Sequence, residues 1–408
     1  MSTAEHHDGR AEDAIVAPLR VGMVLTTMGH GGVPEVVLQL MRWLPECGVE
    51  PRLCVLKREE AADAACAERQ RRALAAGIEV HYAAGSSRKL ETVAAVAEWA
   101  RRERLDVLHT HSNRPNVVGR LAGALGRPRG LRMVAHYHNQ YDDKWAREPA
   151  MLALERQLAP STDALIAVSE SVQAHVAERL GVEPGRIDVV PNGVDAAAFA
   201  GGDRGAARAT LGLDPERPVF GLIGRVCEQK GQEDFVEAAL QLARTRPDAQ
   251  FVMAGHAEDA GLAARLQRRV AEQGHGERIR FLGNRDDIAT VYAAVDVVVA
   301  PSRWEGFGMM LLEAMAAGRP VLAARVGAIP ELVTDGVTGR LVPPRAPAVL
   351  ATAMAELLAD PIQCAALAAA ARAVPQRFGW QRAAAQVAAI YRRIAPVVRR
   401  AGAAVGLG

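Results

Sequence analysis

The chain has 408 residues, which is too long for a single hydrophobic core and favours two domains. Its 49 lysines and arginines nearly balance 47 aspartates and glutamates, so the net charge of +2 argues against a dedicated nucleic-acid-binding protein. Half of the residues are hydrophobic, as in ordinary globular proteins, and no uninterrupted apolar run approaches the ~20 residues of a membrane span.

Residues 1–18 are expected to form a flexible tail, because they are polar, carry charges of both signs and contain no apolar signal-peptide core. The five cysteines are scattered, and none occurs in a Cys-x-x-Cys pair. An odd, scattered set is typical of free thiols in a reducing compartment. We therefore predict a cytoplasmic protein without a strong membrane signal.

Strands and helices are predicted to alternate along residues 19–194. The segment LRVGMVL predicts a buried strand, and a glycine loop and a helix beginning near Pro34 follow it. Further strands are predicted at 51–56, 78–82, 106–109, 132–136 and 163–168, with helical patterns between them. This spacing is typical of βαβ units and a parallel sheet.

A second alternation begins after VPNGVD at 190–195, whose proline, asparagine and glycine indicate a hinge. Strands are predicted in PVFGLIGRV, QFVMAG, IRFLG, VDVVVAPS and PVLAA. We therefore predict an α/β protein with two doubly wound domains, 19–194 and 195–375, that face each other across a cleft. Helices in 376–408 are expected to pack back toward the first domain. In such sheets ligands bind beyond the carboxyl ends of the strands.

Two cations follow the strand predicted at 219–223. That strand ends at Gly224, and Arg225 and Lys230 flank the turn into the next helix. Fixed cations at a strand end suit a departing diphosphate, whose charge grows as a glycosidic bond breaks. The alternative is a pair of solvated loop cations, which their strand-end position disfavours.

Two carboxylates occur in the most informative segment, residues 295–325. Glu305 lies in the loop after a predicted strand, and Glu313 lies in the second turn of the helix that Gly308 opens. Because helical side chains lean toward the N-terminus, both carboxylates can reach one pocket. Gly306 and Gly308 let backbone amides approach a ligand, and the helix N-terminus favours an anion. Carboxylates suit sugar hydroxyls and amides suit phosphate, so this segment predicts a nucleotide-sugar site.

These motifs, together with GGVPEVVLQL, VSES, VPNGVD and FLGNRDDI in the same order, closely resemble the large retaining family of GT-B glycosyltransferases, often called family four. The resemblance covers the whole chain except the tail. It implies two Rossmann-like domains, a nucleotide-sugar donor of the UDP type, and metal-independent hexosyl transfer with retention. The donor is a substrate, so no cofactor is expected. One departure is MAGHAED at 253–259, where the family more often shows a second glycine.

The resemblance also implies roles for individual residues. Arg225 and Lys230 would hold the donor phosphates, Glu313 the ribose hydroxyls and Glu305 the transferred sugar. A histidine that follows an N-terminal strand faces the donor sugar in the family; His138 fits this place best, and His136 is the alternative. The implied donor-binding set also includes Gly31, Gly32, Gly224, Gly306, Phe307 and Gly308.

The acceptor is predicted to be a small molecule that is bound by the N-terminal domain. The acceptor-side candidates are His111, His136, Tyr141, Asp142 and Asp143. Acidic side chains attract a cationic acceptor, so we predict an aminocyclitol or an amino sugar of a natural-product pathway, such as antibiotic biosynthesis. The alternatives are that these acids only solubilise the surface, or that the acceptor is lipid-linked or a polysaccharide.

Two His-x-His pairs require a different class of protein, a metallohydrolase, to be considered. His109 with His111, and His136 with His138, each place two imidazoles on one face of a strand, and paired histidines can bind zinc. A metallohydrolase needs further ligands, and no motif such as HExxH accompanies the pairs, so no metal site is predicted. The remaining alternatives are a non-catalytic nucleotide-sugar-binding protein, an epimerase and a phosphorylase.

Overall fold

The computed structural model describes residues 17–29, 31–58, 64–83, 89–126, 130–140 and 147–395. These residues form two parallel β-sheets, one of seven strands and one of six, with helices between successive strands. The predicted α/β class with two doubly wound halves is confirmed.

The first sheet has the strand order β3-β2-β1-β4-β5-β6-β7. Its strands are β1 (Leu19–Leu25), β2 (Val49–Val55), β3 (Val80–Tyr82), β4 (Val107–His111), β5 (Arg132–Tyr137), β6 (Ala164–Ala167) and β7 (Ile187–Val189). Its helices are α1 (Gly32–Trp43), α2 (Ala64–Ala75), α3 (Lys89–Arg102), α4 (Asn113–Gly126), α5 (Pro149–Leu158) and α6 (Glu170–Leu180). The sequence does not predict β7, because three residues are too few to show a period.

The second sheet has the order β10-β9-β8-β11-β12-β13. Its strands are β8 (Val219–Ile223), β9 (Gln250–Ala254), β10 (Ile279–Gly283), β11 (Val297–Ala300), β12 (Val321–Ala324) and β13 (Arg340–Val342), the last of which is also missed by sequence reasoning. The helices of this half are α7 (Ala196–Phe199), α8 (Arg204–Leu211), α9 (Gln232–Thr245), α10 (Ala260–Glu272), α11 (Ile288–Ala294), α12 (Met309–Ala316), α13 (Ile329–Leu332), α14 (Pro347–Ala359) and α15 (Pro361–Ala371).

The strand order reverses direction once in each sheet. β1 pairs with both β2 and β4, and β8 pairs with both β9 and β11, all in parallel. The loops that leave the carboxyl ends of neighbouring strands diverge at such a reversal and open a crevice. The two reversals therefore mark where each half is expected to bind a ligand.

The last described helix, α16 (Trp380–Ile394), packs on the first sheet although it follows the second. Trp380, Val387 and Tyr391 are buried in one cluster with side chains of β1 and α1. The amide of Val194 donates to the carbonyl of Phe378 at 2.8 Å, which ties the start of α16 to the linker. Among the described residues no single helix is long and apolar enough to cross a membrane, although a pair bent by 99°, Pro347–Ala359 with Pro361–Ile394, reaches that length and composition together.

Candidate active site between the two sheets

The loop between β8 and α9 carries both predicted cations. Its 3-10 turn ends at Gly231, which has φ 68°, and a Cβ atom there would lie 2.0 Å from the carbonyl oxygen of Pro301. Only glycine lets this loop pack against the loop that follows β11. The side chain of Gln232 donates to the carbonyl of Arg225 at 2.6 Å and accepts from the amide of Cys227 at 3.3 Å. The backbone around the cations is therefore fixed from two sides.

Lys230 and Glu305 form an ion pair at the reversal between β8 and β11. The Nζ atom of Lys230 lies 2.5 Å from Oε2 of Glu305. Their side chains are only 14% and 10% exposed, so water screens the pair weakly. Lys230, predicted to bind the phosphates, and Glu305, predicted to bind the sugar, thus lie side by side in the cleft.

Arg225 is paired with a residue that the sequence did not single out. Its guanidinium contacts the carboxylate of Glu258, and Nη2 lies 3.3 Å from Oε1 of Gln229. Glu258 belongs to the MAGHAED segment that departs from the family pattern, and it is 53% exposed. Exposed ion pairs contribute little free energy, so an incoming anion can displace this carboxylate.

Glu313 lies near the start of α12, where the sequence placed it. Gly308 precedes the helix with φ 99°, and no side chain in the described part of the chain caps the helix N-terminus. The Oε2 atom of Glu313 accepts a hydrogen bond of 2.7 Å from the hydroxyl of Tyr292. Burial raises the pKa of Glu313 above its usual value, while Tyr292 and the charge of Lys230 oppose that rise. Tyr292, on α11, gave no signal in the sequence beyond being an aromatic residue in a helix.

The two halves touch at Gly306. A Cβ atom on Gly306 would lie 2.3 Å from the carbonyl oxygen of His138, so this contact excludes any side chain. The Ser169 hydroxyl donates to the carbonyl of Gly306 at 2.7 Å. The carboxylate of Glu331, on α13, accepts from the first two amides of α6 at 3.0 and 2.8 Å. Gly306 therefore allows the two halves to pack closely against each other, in addition to any contact that its backbone makes with a ligand.

Gly31 and Gly32 stand at the N-terminus of α1, where φ of Gly31 is 134°. A Cβ atom on either glycine would meet no atom of the described residues within 4 Å. The guanidinium of Arg69, on α2, donates to the carbonyl of Gly31 at 3.1 Å. Glu35 lies in the first turn of α1, and its charge raises the pKa of Glu313. The charge of Glu35 therefore acts on the carboxylate of Glu313 in α12.

Phe307 and Gly224 complete the predicted donor set. The ring of Phe307 is 5% exposed and packs edge-on against Phe378, with ring centroids 5.7 Å apart. Only its backbone amide can therefore serve a ligand in the cleft. Gly224 directly follows β8, and the stem of Lys230 lies 3.7 Å from a Cβ atom built there.

Three histidines lie on the adjacent strands β4 and β5, and the fourth, His138, directly follows β5 and is the one of the four that is partly exposed. His109, His111 and His136 are buried, and Nδ1 of His111 lies 3.0 Å from Nε2 of His138. Burial lowers the pKa values of His109 and His138 to about 3, so these imidazoles are neutral. The exposure therefore favours His138 over His136 for the place that faces the donor sugar. His111 and His136, predicted on the acceptor side, lie too deep to touch a ligand in the cleft. Tyr141, Asp142 and Asp143 lie outside the described residues.

Comparisons of the sequence point to one enzyme family. A profile described as Glycosyltransferase Family 4 matches residues 30–198, and one described as Glycosyl transferases group 1 matches residues 217–360. The D-inositol 3-phosphate glycosyltransferase of Mycolicibacterium gilvum is 41% identical over 220 residues, which cover 52% of this chain and 49% of that protein. The enzyme of the same name from Rhodococcus opacus is 36% identical over 252 residues, 60% and 56% of the two chains. The chain spans about half the length of the curated relatives it matches.

Comparisons of the structure agree on the fold. HepE of Anabaena, crystallised with UDP and glucose, superposes with a TM-score of 0.80, covering 91% of this chain and 98% of that one at 24% identity. The sucrose-phosphate synthase of Thermosynechococcus elongatus gives a TM-score of 0.77 over 92% and 99% of the chains, again at 24% identity. These likenesses show the GT-B fold, in which two Rossmann-like halves face each other.

Proposed function

Since the chain belongs to glycosyltransferase family 4, the group 1 glycosyl transferases, we propose that it moves a sugar from a nucleotide-sugar donor to a hydroxyl group of a small acceptor. The observation that carries this proposal is the grouping of Lys230, Glu305 and Glu313 beside the uncapped start of α12. Cations and free amides suit a diphosphate, and carboxylates suit hydroxyl groups. A nucleotide sugar requires both.

The proposed reaction proceeds with retention and without a protein nucleophile. The bond from the anomeric carbon to the phosphate oxygen breaks, and the acceptor oxygen forms its bond on the same face. The departing phosphate oxygen takes the acceptor proton. Arg225 and Lys230 stabilise the charge that grows on the diphosphate, because fixed charges in a closed cleft act without reorganisation. Closure of the halves around Gly306 excludes water and limits hydrolysis.

Uridine is the proposed nucleoside of the donor. The Anabaena protein with the same fold was crystallised with UDP and, separately, with UDP-glucose. A thermal-shift screen of nucleoside diphosphate sugars tests the proposal, because a ligand of the folded state raises Tm with the logarithm of its concentration. We expect the largest shift with a UDP-sugar. The proposal would be contradicted if no nucleotide sugar raised Tm and no sugar transfer were detected.

Glu313→Ala is expected to weaken donor binding more than turnover. A hydrogen bond to a charged group contributes about 1.5–3 kcal/mol, so the Kd of the nucleotide should rise by roughly 10- to 150-fold. Isothermal titration with the free nucleoside diphosphate measures the change. Glu356→Ala, which removes an exposed carboxylate on α14, is the matched control and should leave Kd unchanged. An unaltered Kd in Glu313→Ala would exclude Glu313 from the site.

Transfer is expected to continue at full rate for minutes after EDTA is added. In the proposed mechanism Arg225 and Lys230 supply the charge stabilisation that a divalent ion supplies in other glycosyltransferases, so the diphosphate needs no metal. Initial rates with and without chelator measure this. Immediate loss of activity that added Mn²⁺ restores would contradict the assignment of these two cations.

For the acceptor we propose a cyclitol that carries an amino group. The support comes from the sequence alone: Asp142 and Asp143, which lie outside the described residues, follow β5 in the chain, and loops after parallel strands are expected to border a ligand. Acidic side chains there would concentrate a cationic acceptor. Charge reversal at both aspartates is expected to raise the KM for an aminocyclitol and to leave donor affinity unchanged.

A phosphorylated cyclitol is the second candidate, and a different observation favours it. The curated relatives are named for D-inositol 3-phosphate, and the exposed cations Lys57 and Arg114 follow β2 and β4 at the same sheet edge. Offering inositol 3-phosphate, inositol and an aminocyclitol with the same donor separates the candidates by kcat/KM. Preference for the phosphate, with a higher KM in Arg114→Ala, would replace the amine proposal. Transfer to a phospholipid and to none of these cyclitols would contradict both acceptor proposals.

A further inference from the structure

Three buried histidines form a cluster under α16, beside the active-site cleft. His109 and His111 lie on the same side of β4, and the register of β4 and β5 puts His136 next to His111. The ring centroids of His109 and His111 are 4.1 Å apart, and the ring of His136 lies 5.3 Å from each of them. None of the three is more than 1% exposed. We call these residues the histidine cluster.

Within the histidine cluster, hydrogen bonds satisfy one ring nitrogen of His109 and one ring nitrogen of His111. Nδ1 of His109 lies 2.6 Å from the hydroxyl of Tyr391, and Nδ1 of His111 lies 3.0 Å from Nε2 of His138. The Nε2 atoms of His109 and His111, and both nitrogens of His136, have no hydrogen-bond partner among the described residues. Buried polar atoms without a partner are rare in folded proteins. Four of them in one cluster indicate a bound ligand.

We propose that the histidine cluster binds one transition-metal ion, with Zn²⁺ as the first candidate, through Nε2 of His109, Nε2 of His111 and one ring nitrogen of His136. One ligand nitrogen from each ring lies within 4.8 Å of the others. Zinc–nitrogen bonds of about 2.0–2.1 Å hold tetrahedral ligands roughly 3.3 Å apart, so binding draws the rings together. Three imidazoles leave the fourth position for water.

The surroundings of the cluster resemble those of known metal-binding histidines. A ligating histidine almost always donates its second N–H to a neighbouring acceptor, which orients the ring. Tyr391 stands at that position for His109, and His138 stands there for His111. Burial keeps the pKa values of all three rings well below the usual value, so they are present in the neutral form that binds metal.

A bound ion would act on the cleft through His111. With the metal on its Nε2 atom, His111 carries its proton on Nδ1 and donates it to Nε2 of His138. His138 must then hold its own proton on Nδ1. The ion therefore positions His138 and fixes its tautomer without touching the donor. Because the site is closed off by α16, the ion is expected to exchange slowly and to survive the brief EDTA treatment described above.

Metal analysis of the wild-type protein tests this site independently of sugar transfer. The protein is expressed with added zinc and its affinity tag is removed, since a polyhistidine tag binds the same ions. We expect about one zinc ion per chain by mass spectrometry, and visible absorption bands of tetrahedral Co²⁺ after exchange. Substoichiometric metal together with no Co²⁺ spectrum would overturn the proposal.

Matched histidine variants assign the ligands. His109→Gln and His136→Gln are expected to lose the Co²⁺ bands, and His81→Gln, on β3 and stacked on Trp99, should keep them. Retention of the bands in either cluster variant would overturn the proposal. If those variants do not fold, X-ray absorption of the wild-type zinc protein decides: three imidazoles support the site, and sulfur ligands exclude it.

Discussion

Lys230→Ala is expected to lower kcat by about 10²–10³-fold, the usual loss when one preorganised electrostatic partner is removed. The ammonium group is held 2.5 Å from Glu305, on a loop that Gly231 and Gln232 fix in place. Water and dissolved ions cannot replace the ammonium group of Lys230, because they must reorganise as the diphosphate departs. Rates of sugar transfer at saturating donor and acceptor measure the effect.

Two further variants separate lost catalysis from lost stability. Removing Lys230 leaves Glu305, which is 8% exposed, without its cation, so Tm should fall as well. Lys230→Met keeps the buried stem and lacks only the charge, and we expect it to be as slow as the alanine variant. Arg269→Ala, on the exposed side of α10, should keep the parent rate. A folded Lys230→Met protein with parental kcat would exclude the cation from catalysis.

Gly306→Ala is expected to lower kcat/KM by about 10²-fold or more, since a 1 Å misplacement of catalytic groups can cost that much. The new methyl group would lie 2.3 Å from the carbonyl oxygen of His138 and 2.7 Å from Cα of Asn139. Both neighbours are backbone atoms and cannot rotate away. The two halves must therefore separate, which moves Glu305 and His138 apart.

Small-angle scattering and steady-state kinetics together check the effect of Gly306→Ala. The variant should show a more open shape than the parent and a weaker response of that shape to donor. Gly276→Ala is the control, because a Cβ atom there meets nothing within 4 Å and the glycine is exposed. Parental kcat/KM in Gly306→Ala would mean that the contact with His138 is not needed for the reaction.

The sequence by itself predicted the fold, and it proposed site residues of which the structure brings Lys230 and Glu305 together. Apolar segments of four to nine residues between helical patterns located eleven strands, and the structure differs mainly at ends, as where β2 begins at Val49. Gly308 correctly marked the start of α12, which put Glu313 in its second turn. These features depend on neighbours in the chain, and local order is what periodicity and glycine positions report. The short strands β7 and β13 carried too few residues for that signal.

Only the tertiary structure decided which partners the site residues have. Glu258 reaches Arg225 from 33 positions away, Tyr292 reaches Glu313 from 21, and Ser169 reaches Gly306 from 137. The same holds for the histidine cluster, whose two strands pair only in the sheet and whose cover, α16, comes from the other end of the chain. Such contacts depend on tertiary packing between elements that are distant in the sequence. A single sequence carries the residues of these pairs, but packing alone sets the distances between them.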